Sequence, residues 1–284
     1  MRLTLGVLAV AVLLALAWVV ITTTWLWRYQ ERVVFQPPGL APDAPSPARR
    51  VTFAAADGHP VFGYVVAKTD DVASRTVVMA FHGNADLAAW QIPWAQEVVE
   101  RTGVTVFVPE YRGYAGIPGT PTYETSAADA RGALAFARSS LRADDVVLYG
   151  HSLGSALAAE LAQHMQDAPP RSVLLVSPFT SARDMAARML VPPVPWLWRR
   201  ISRVHYDTRA IVSKVSAPVH VAHGSRDINI PVRMGRQVHE AARRRGELLI
   251  VEGAGHNDVA DVGGERYWLW LTRAIGMTAV TSGR

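Results

Sequence analysis

The chain has 284 residues, enough for one domain with a large core and too few for two full-sized catalytic domains. Its composition, 50% hydrophobic and 19% charged, excludes a disordered chain, and the absence of cysteine excludes disulfide bonds, thiolate metal ligands and a cysteine nucleophile. The net charge is +5, but the arginines that carry it are scattered, which favours an ordinary basic surface over a nucleic-acid site.

The first predicted element is an apolar helix at the N-terminus. The run from Leu3 to Ile21 contains 19 residues and no charge. A helix of that length spans about 28 Å, which is close to the thickness of the hydrocarbon core of a bilayer. The aromatic and basic residues from Trp25 to Tyr29 suit a membrane interface. We therefore expect a transmembrane anchor with its flank at residues 1–28, and the domain behind it outside the cytoplasm.

Two other interpretations of this apolar run stay open. The tripeptide Ala15-Leu16-Ala17 matches the small-residue pattern at which signal peptides are cleaved. Against cleavage, the apolar run continues to Ile21, and the charged region before it consists of Arg2 and the amino terminus. The third interpretation is a helix buried in the domain. The charges that flank the run are nearly balanced, so they decide its orientation only weakly.

A proline-rich stretch follows the apolar run. Five prolines between Pro37 and Pro47 leave no room for a helix there. Residues 29–48 are therefore predicted to form a stiff linker, and residues 49–284 to form the globular domain.

Within that domain, short apolar runs alternate with helical patterns, which is typical of a mostly parallel sheet with helices on both faces. The first two runs are joined at Asp57-Gly58, which indicates an antiparallel pair. The predicted strands are Val51–Ala54, Val61–Ala67, Thr76–Phe81, Val104–Pro109, Asp145–Tyr149, Ser172–Val176, Pro218–Ala222 and Glu247–Val251. The predicted helices are Trp90–Arg101, Thr125–Ser140, Leu153–Met165, Val232–Arg244 and Arg266–Ile275.

Residues 184–207 break this alternation. They contain Pro192, Pro193 and Pro195, followed by tryptophans and arginines, and they are too many for a plain connection. We expect a small lid over the carboxyl edge of the sheet, and an ordinary surface helix is the alternative.

The pentapeptide Gly150-His151-Ser152-Leu153-Gly154 is the strongest chemical signal in the sequence. A G-x-S-x-G pattern alone arises often by chance. Here it lies between a predicted strand and a predicted helix, where a sharp turn lifts the central serine clear of the sheet. The alternative is a small-residue turn in a nucleotide-binding type of sheet. The context favours Ser152 as a nucleophile.

A serine hydroxyl needs a base, and the base needs a partner that orients it. Of the nine histidines, His256 lies in a loop directly after the last predicted strand. Asp227 follows the preceding strand, in the chain order Ser, Asp, His that this topology requires. Asp258 is the alternative acid, but it is too close in sequence to His256 to orient its ring easily. We expect packing roles for the remaining candidates, which are His164, His205, His220, His223 and His239.

An oxyanion hole requires two backbone N–H donors. The residue after the nucleophile, Leu153, is expected to supply one. The loop after Thr76–Phe81 reads His82-Gly83-Asn84-Ala85, and Asn84 is expected to supply the other. Because both donors belong to the main chain, this assignment rests on position and not on the type of side chain.

The chain resembles the membrane-anchored α/β-hydrolase domain-containing proteins, which include bacterial members of unassigned substrate and eukaryotic protein depalmitoylases. Six motifs in order carry the resemblance, over roughly residues 50 to 275: His82-Gly83-Asn84-Ala85, Tyr111-Arg112-Gly113-Tyr114, Gly150-His151-Ser152-Leu153-Gly154, Ser177-Pro178-Phe179-Thr180, His223-Gly224-Ser225-Arg226-Asp227 and Gly255-His256-Asn257-Asp258. The resemblance implies the α/β class and an α/β-hydrolase fold of about eight strands. It also implies Ser152 as nucleophile, Asp227 as acid, His256 as base, and Asn84 and Leu153 as oxyanion donors.

The expected activity is hydrolysis of a carboxylic ester or thioester through an acyl-serine intermediate. We expect no metal or organic cofactor and no nucleic-acid partner. The apolar lid and the anchor favour a small or lipid-like acyl substrate at a membrane. A peptidase or amidase of the same fold is a second interpretation, and a non-catalytic membrane-anchored scaffold is a third.

Overall fold

The structure is a computed structural model that describes residues 2–40, 43, 46–68, 75–192 and 194–276. Pro42 and Pro45 of the predicted linker, Pro193 of the predicted lid and the last residues of the predicted domain, 277–284, lie outside this range. Within the described residues, one sheet contains the strands β1 (Arg49–Ala54), β2 (Pro60–Val66), β3 (Thr76–Phe81), β4 (Thr105–Pro109), β5 (Asp145–His151), β6 (Ser172–Val176), β7 (Val219–Gly224) and β8 (Arg245–Val251).

The strand order in the sheet is β1-β2-β4-β3-β5-β6-β7-β8. β1 and β2 are antiparallel and turn at Asp57-Gly58, β2 is antiparallel to β4, and β3 to β8 run parallel to one another. The predicted mostly parallel sheet and α/β-hydrolase fold are thus confirmed. In such a sheet the carboxyl ends of the parallel strands share one edge, where ligand sites of α/β folds form.

Helices cover both faces of the sheet, because successive side chains of each buried strand point to opposite sides. In β3, Val77, Met79 and Phe81 join one apolar core layer, and Val78 and Ala80 join the other. The helices are α1 (Arg2–Val34), α2 (Ile92–Thr102), α3 (Tyr123–Ser139), α4 (Leu153–His164), α5 (Ala182–Met189), α6 (Val194–Ile201), α7 (Thr208–Val212), α8 (Val232–Ala241) and α9 (Val259–Ile275).

Among the helices predicted after residue 49, two boundaries differ from the sequence-based ones by three residues or more, and the other differences are of one or two residues. α9 begins at Val259 instead of Arg266, and its extra turn is joined to the rest at Gly264, whose φ of 50° and ψ of −135° are not helical. A prediction from the helical spacing of apolar residues ends at such a kink, because the spacing is interrupted there. α8 ends at Ala241 instead of Arg244, because β8 already begins at Arg245.

The N-terminal helix is longer than predicted, so placing the start of the linker at residue 29 was wrong. α1 continues through Val34, and irregular backbone begins only after that residue. Packing explains the difference. Leu26 and Gln30 are buried, and Leu26 forms a small apolar cluster with Val194 and Trp198 of α6.

Arg203, which follows α6, adds a polar connection between α1 and this part of the chain. Its guanidinium binds the Glu31 carboxylate at 2.8 and 2.9 Å and donates to the Trp27 carbonyl at 3.1 Å. Its backbone N–H donates to Gln30 Oε1 at 2.6 Å. The carboxyl-terminal half of α1 is therefore docked on the domain.

Among the described residues, the amino-terminal half of α1 has no such partner, and most of its large apolar side chains from Leu5 to Ile21 are exposed. The most apolar 18-residue stretch of α1 has a mean hydropathy of 2.8 and is 0% buried. By length and composition α1 can cross a membrane, and a signal sequence would have the same properties.

An ion cluster near β1, in which Arg112 and Asp129 are buried and Asp57 is half-exposed, holds three parts of the chain together. Arg112, after β4, binds Asp57 in the β1–β2 turn through two hydrogen bonds of 2.8 Å. It also binds Asp129 of α3 at 2.7 and 2.9 Å. The Arg112 hydrogen bond lowers the pKa of Asp57 to about 2. Burial raises the pKa of Asp129 against the opposing effect of Arg112.

We expect Arg112→Ala to lower the free energy of unfolding by about 3–5 kcal/mol, because it leaves the Asp129 carboxylate buried without a counter-ion. Arg75→Ala is the control, since it removes an exposed pair with Asp144 and should cost about 1 kcal/mol or less. Urea unfolding in detergent, followed by circular dichroism, measures both losses. Equal losses in the two variants would contradict this account of the cluster.

Candidate active site

Ser152 lies in the turn between β5 and α4, at the carboxyl edge of the sheet. Its φ of 53° and ψ of −116° are strained for a residue with a side chain, and its backbone N–H donates to the Val176 carbonyl at 2.9 Å. Two glycines make the turn sterically feasible. A Cβ on Gly150 would lie 2.1 Å from the Gly154 carbonyl oxygen, and one on Gly154 would lie 2.1 Å from the Phe81 carbonyl oxygen.

The structure brings Ser152, His256 and Asp227 together in one hydrogen-bonded chain. His256 Nε2 is 2.9 Å from Ser152 Oγ, and His256 Nδ1 is 2.7 Å from Asp227 Oδ2. With Nδ1–H donating to the carboxylate, Nε2 is free to accept the serine proton. This is the arrangement that can activate a serine hydroxyl for attack on a carbonyl carbon.

Asp227 occupies a site built for an ionised carboxylate. Its side chain is fully buried, and Oδ1 accepts the backbone N–H groups of Asn229 at 2.9 Å and Ile230 at 2.8 Å. Burial alone would raise its pKa, but the hydrogen bonds from His223, His256 and the Ile230 N–H outweigh burial and hold the pKa below its ordinary value. The carboxylate therefore stays charged beside the imidazole.

Asp258, the alternative acid, has a different task. Its Oδ1 accepts the Gly255 N–H at 2.6 Å and closes a turn inside the His256 loop. The carboxylate beside His256 Nδ1 is that of Asp227.

His223 touches the same carboxylate. It is completely buried, and its Nε2 lies 2.8 Å from the Ile230 carbonyl oxygen and 3.2 Å from Asp227 Oδ2. The sequence suggested only a packing role for it. The sequence does contain one sign of this contact: His223 lies four residues before Asp227, at the end of the strand that precedes it.

The loop that carries His256, residues 252–258, is fixed to the turn at Ser152 through the backbone carbonyl of His256. The His256 carbonyl accepts from His151 Nε2 at 2.9 Å and from Ser177 Oγ at 3.3 Å. Burial and the neighbouring His256 lower the pKa of His151 to about 4. His151 is therefore neutral near pH 7, and its Nε2–H donates to the loop. The sequence alone suggested no role for His151 or Ser177.

The two expected oxyanion donors lie on either side of Ser152. Leu153 is the first residue of α4, where backbone N–H groups have no acceptor within the helix. Asn84 lies in the loop after β3, and a Cβ on the neighbouring Gly83 would be 3.5 Å from Ser152 Cβ. Neither N–H has a hydrogen-bond acceptor in the part of the chain that the structure describes.

A buried polar network lies beneath the Asn84 loop. His82 Nε2 is 2.7 Å from Glu110 Oε1, and both side chains are completely buried. Glu110 also accepts the N–H groups of Tyr111 and Ala88, and Tyr111 Oη donates to the His82 carbonyl at 3.0 Å. Burial opposes the imidazolium, but Glu110 outweighs it and raises the pKa of His82. Nothing local in the sequence pairs His82 with Glu110.

The segment predicted as a lid contains α5 and α6. Arg188 of α5 donates to the carbonyl of Ile228 at 3.3 Å, so the end of α5 lies beside the Asp227 loop. Met189, Val191 and Trp196 on the segment, and Ile228 on the loop, expose most of their apolar side chains.

Four other histidines are held by contacts away from Ser152. His164 and His239 bind the backbone carbonyls of Glu160 and Gly246, His220 Nδ1 accepts the Glu247 N–H, and His205 packs edge-on against Tyr123. Among the residues described, no group of three or more His, Asp or Glu side chains is arranged to hold a metal ion.

Comparison with known proteins agrees with this architecture. The sequence profile of the alpha/beta hydrolase family matches residues 77–215. An uncharacterized protein of Mycobacterium tuberculosis is 32% identical over 264 residues, which cover 90% of this chain and 91% of that protein. The human alpha/beta hydrolase domain-containing protein 17B is 31% identical over 202 residues, which cover 70% of this chain and 65% of that protein.

A solved structure shows the same fold at lower sequence identity. An esterase of Pyrococcus furiosus superimposes with a TM-score of 0.66 and 17% identity, over 84% of this chain and 99% of that one.

The lowered pKa of His151 predicts a pH dependence of stability. Between pH 6.5 and about 4 the unfolded chain binds a proton at this residue and the folded chain does not, so stability falls as the pH drops through that window. We expect His151→Gln to lose less stability than wild type between pH 7 and pH 4.5. Urea unfolding at both pH values measures the difference, and a steeper loss in the variant would refute the assignment.

Proposed function

The chain belongs to the alpha/beta hydrolase family, and on that premise we propose that it is a serine hydrolase that cleaves a carboxylic ester or thioester through an acyl-serine intermediate. One observation carries the proposal: the His256 imidazole hydrogen-bonds to Ser152 Oγ on one side and to the buried Asp227 carboxylate on the other. The fold shared with a solved esterase agrees with it.

The proposed reaction has two halves. Ser152 Oγ attacks the acyl carbon while His256 Nε2 takes the hydroxyl proton, and the carbonyl oxygen becomes an oxyanion. Asn84 and Leu153 donate their backbone N–H groups to that oxyanion. The tetrahedral intermediate collapses, and the alkoxide or thiolate leaves with the proton from His256. Asp227 stabilises the transient imidazolium throughout.

In the second half, water replaces the alcohol or thiol. His256 takes a proton from the water molecule, whose oxygen attacks the acyl-serine carbonyl at the same position. The second tetrahedral intermediate releases the carboxylic acid, and the proton returns to Ser152. Bonds and charges balance without any further reactant.

The substrate is proposed to be lipid-like, and the protein to be anchored in a membrane by α1 with its domain outside the cytoplasm. The exposed apolar surface of α1 from Leu5 to Ile21 supports the anchor, because water is a poor solvent for such a surface. The exposed Met189, Val191 and Trp196 support an apolar substrate, since they lie on the segment that meets the Asp227 loop. In this proposal α5 and α6 form the lid.

We expect Ser152→Ala to lower kcat for p-nitrophenyl ester hydrolysis by about 10⁴-fold and to abolish labelling by a fluorophosphonate, because both need the Oγ nucleophile. Ser213→Ala is the control, since within the described part of the chain that exposed hydroxyl bonds only to the Ala210 carbonyl. A folded wild type that is never labelled would favour a non-catalytic scaffold. Near-normal turnover in Ser152→Ala would exclude Ser152 as the nucleophile.

We also expect kcat/KM to rise at least tenfold from acetyl to octanoyl p-nitrophenyl esters, because each buried methylene contributes about 0.8 kcal/mol. Trp196→Ser should reduce this rise, whereas Val262→Ser, an exposed apolar residue on α9, should leave it unchanged. A preference for the acetyl ester would contradict a lipid-like substrate.

A further inference from the structure

The side chain of Asn84 connects the loop that carries it to the end of the N-terminal helix. Its Nδ2 donates to the Val34 carbonyl at 2.7 Å, and its Oδ1 accepts the Gln36 N–H at 2.8 Å. The carboxamide thus pairs with the backbone on both sides of Phe35, as a neighbouring strand would. Only one orientation of the amide satisfies both partners.

Two further contacts hold this connection in place. Phe35 lies between the two paired residues and is 2% exposed, in the core layer that also contains Tyr111 and Tyr114. Tyr114 Oη donates to Asn84 Oδ1 at 2.9 Å. The segment from Val34 to Gln36 is therefore part of the packed domain, although it lies about 50 residues away from Asn84 in the sequence.

The loop that this connection holds carries the backbone N–H of Asn84, which the proposed mechanism uses as an oxyanion donor. On the domain side, the loop is fixed by the His82–Glu110 pair and by Tyr111 Oη on the His82 carbonyl. On the outer side, the Asn84 carboxamide fixes it to the end of α1. The next residue, Ala85, has a φ of 53°, so the loop is strained and depends on such contacts. An oxyanion donor is effective only when it is already aimed at the position where charge develops.

We propose that Asn84 is a positioning residue whose carboxamide ties the end of α1 to the oxyanion hole, so that full turnover requires the segment from Val34 to Gln36 to be seated. The inference rests on the proposed function of Ser152 and the Asn84 N–H. It departs from the sequence analysis, which treated the type of side chain at residue 84 as unimportant because the donor is a backbone group.

The test compares variants of the full chain in detergent with a short, soluble ester, p-nitrophenyl butyrate. We expect Asn84→Ala to lower kcat about 10- to 100-fold with KM changed less than about threefold, because a misaimed donor weakens the transition state more than the ground state. Affinity for a phenylboronic acid, which forms a tetrahedral adduct, should fall in parallel. If Asn84 contributed only to stability, Asn84→Ala would lower the urea midpoint of unfolding without a parallel fall in kcat and in affinity for the boronic acid.

Asn84→Asp and Phe35→Ala extend the test in case Asn84→Ala fails to fold. Asn84→Asp keeps the size and the acceptor for Gln36 but loses the donor to Val34, so kcat should fall here as well. Phe35→Ala unseats the segment without altering residue 84. If both changes act through one connection, the double variant Phe35→Ala, Asn84→Ala should lose no more activity than the worse single variant.

Arg203→Ala is the matched control. It releases Glu31 and Trp27 of α1 and leaves the Asn84 contacts intact, so kcat for the soluble ester should stay within twofold of wild type. A folded Asn84→Ala with kcat within twofold, beside an inactive Ser152→Ala, would overturn the coupling and leave the proposed function standing. An active Ser152→Ala would overturn the proposed function and the coupling with it.

Discussion

The backbone of β5 lies against that of α4 at Gly150, and the backbone of α4 lies against the end of β3 at Gly154, with no space for a side chain on either glycine. These close approaches accompany the sharp turn at Ser152, whose φ of 53° is strained for a residue with a side chain. Three consequences follow from the same turn. The hydroxyl meets His256 Nε2, the N–H of Leu153 at the start of α4 has no acceptor among the described residues, and His151 Nε2 donates to the carbonyl of His256. The geometry around the serine therefore depends on two steric contacts, one at each glycine.

The features that were predictable from the sequence are those with a local signature. The buried strands are short β-branched runs, the serine turn combines two glycines with a strand and a helix, and Asp227 and His256 follow the last two strands in the required order. Because parallel strands end at one edge, chain order alone brings these residues near one another. The sheet and the fold class are confirmed on this basis. The roles of Ser152, Asp227 and His256 remain predictions supported by geometry.

The features that were missed depend on contacts between distant parts of the chain. The last turns of α1 are polar and aromatic, and they stay helical because Leu26 and Gln30 pack on a segment far away in the sequence. The pairing of His82 with Glu110, and of Asn84 with Val34, has no local pattern either. Periodicity reports one element at a time, whereas these contacts exist only once several elements have assembled.

The docking of α6 on α1 also fixes how far the domain lies from the uncharged run of α1. Leu26, where α6 packs, lies about 8 Å along the helix axis beyond Ile21, the last residue of the uncharged run. In the proposed arrangement, in which α1 spans a bilayer, the exposed Trp196 would lie near the lipid headgroups, and a stiff helix would take the place of a flexible tether. The stretch between Ile21 and Leu26 would then set the distance between the membrane and the domain. In that arrangement its length would decide how deep in the membrane the acyl carbonyl of the proposed substrate could lie and still come within reach of Ser152.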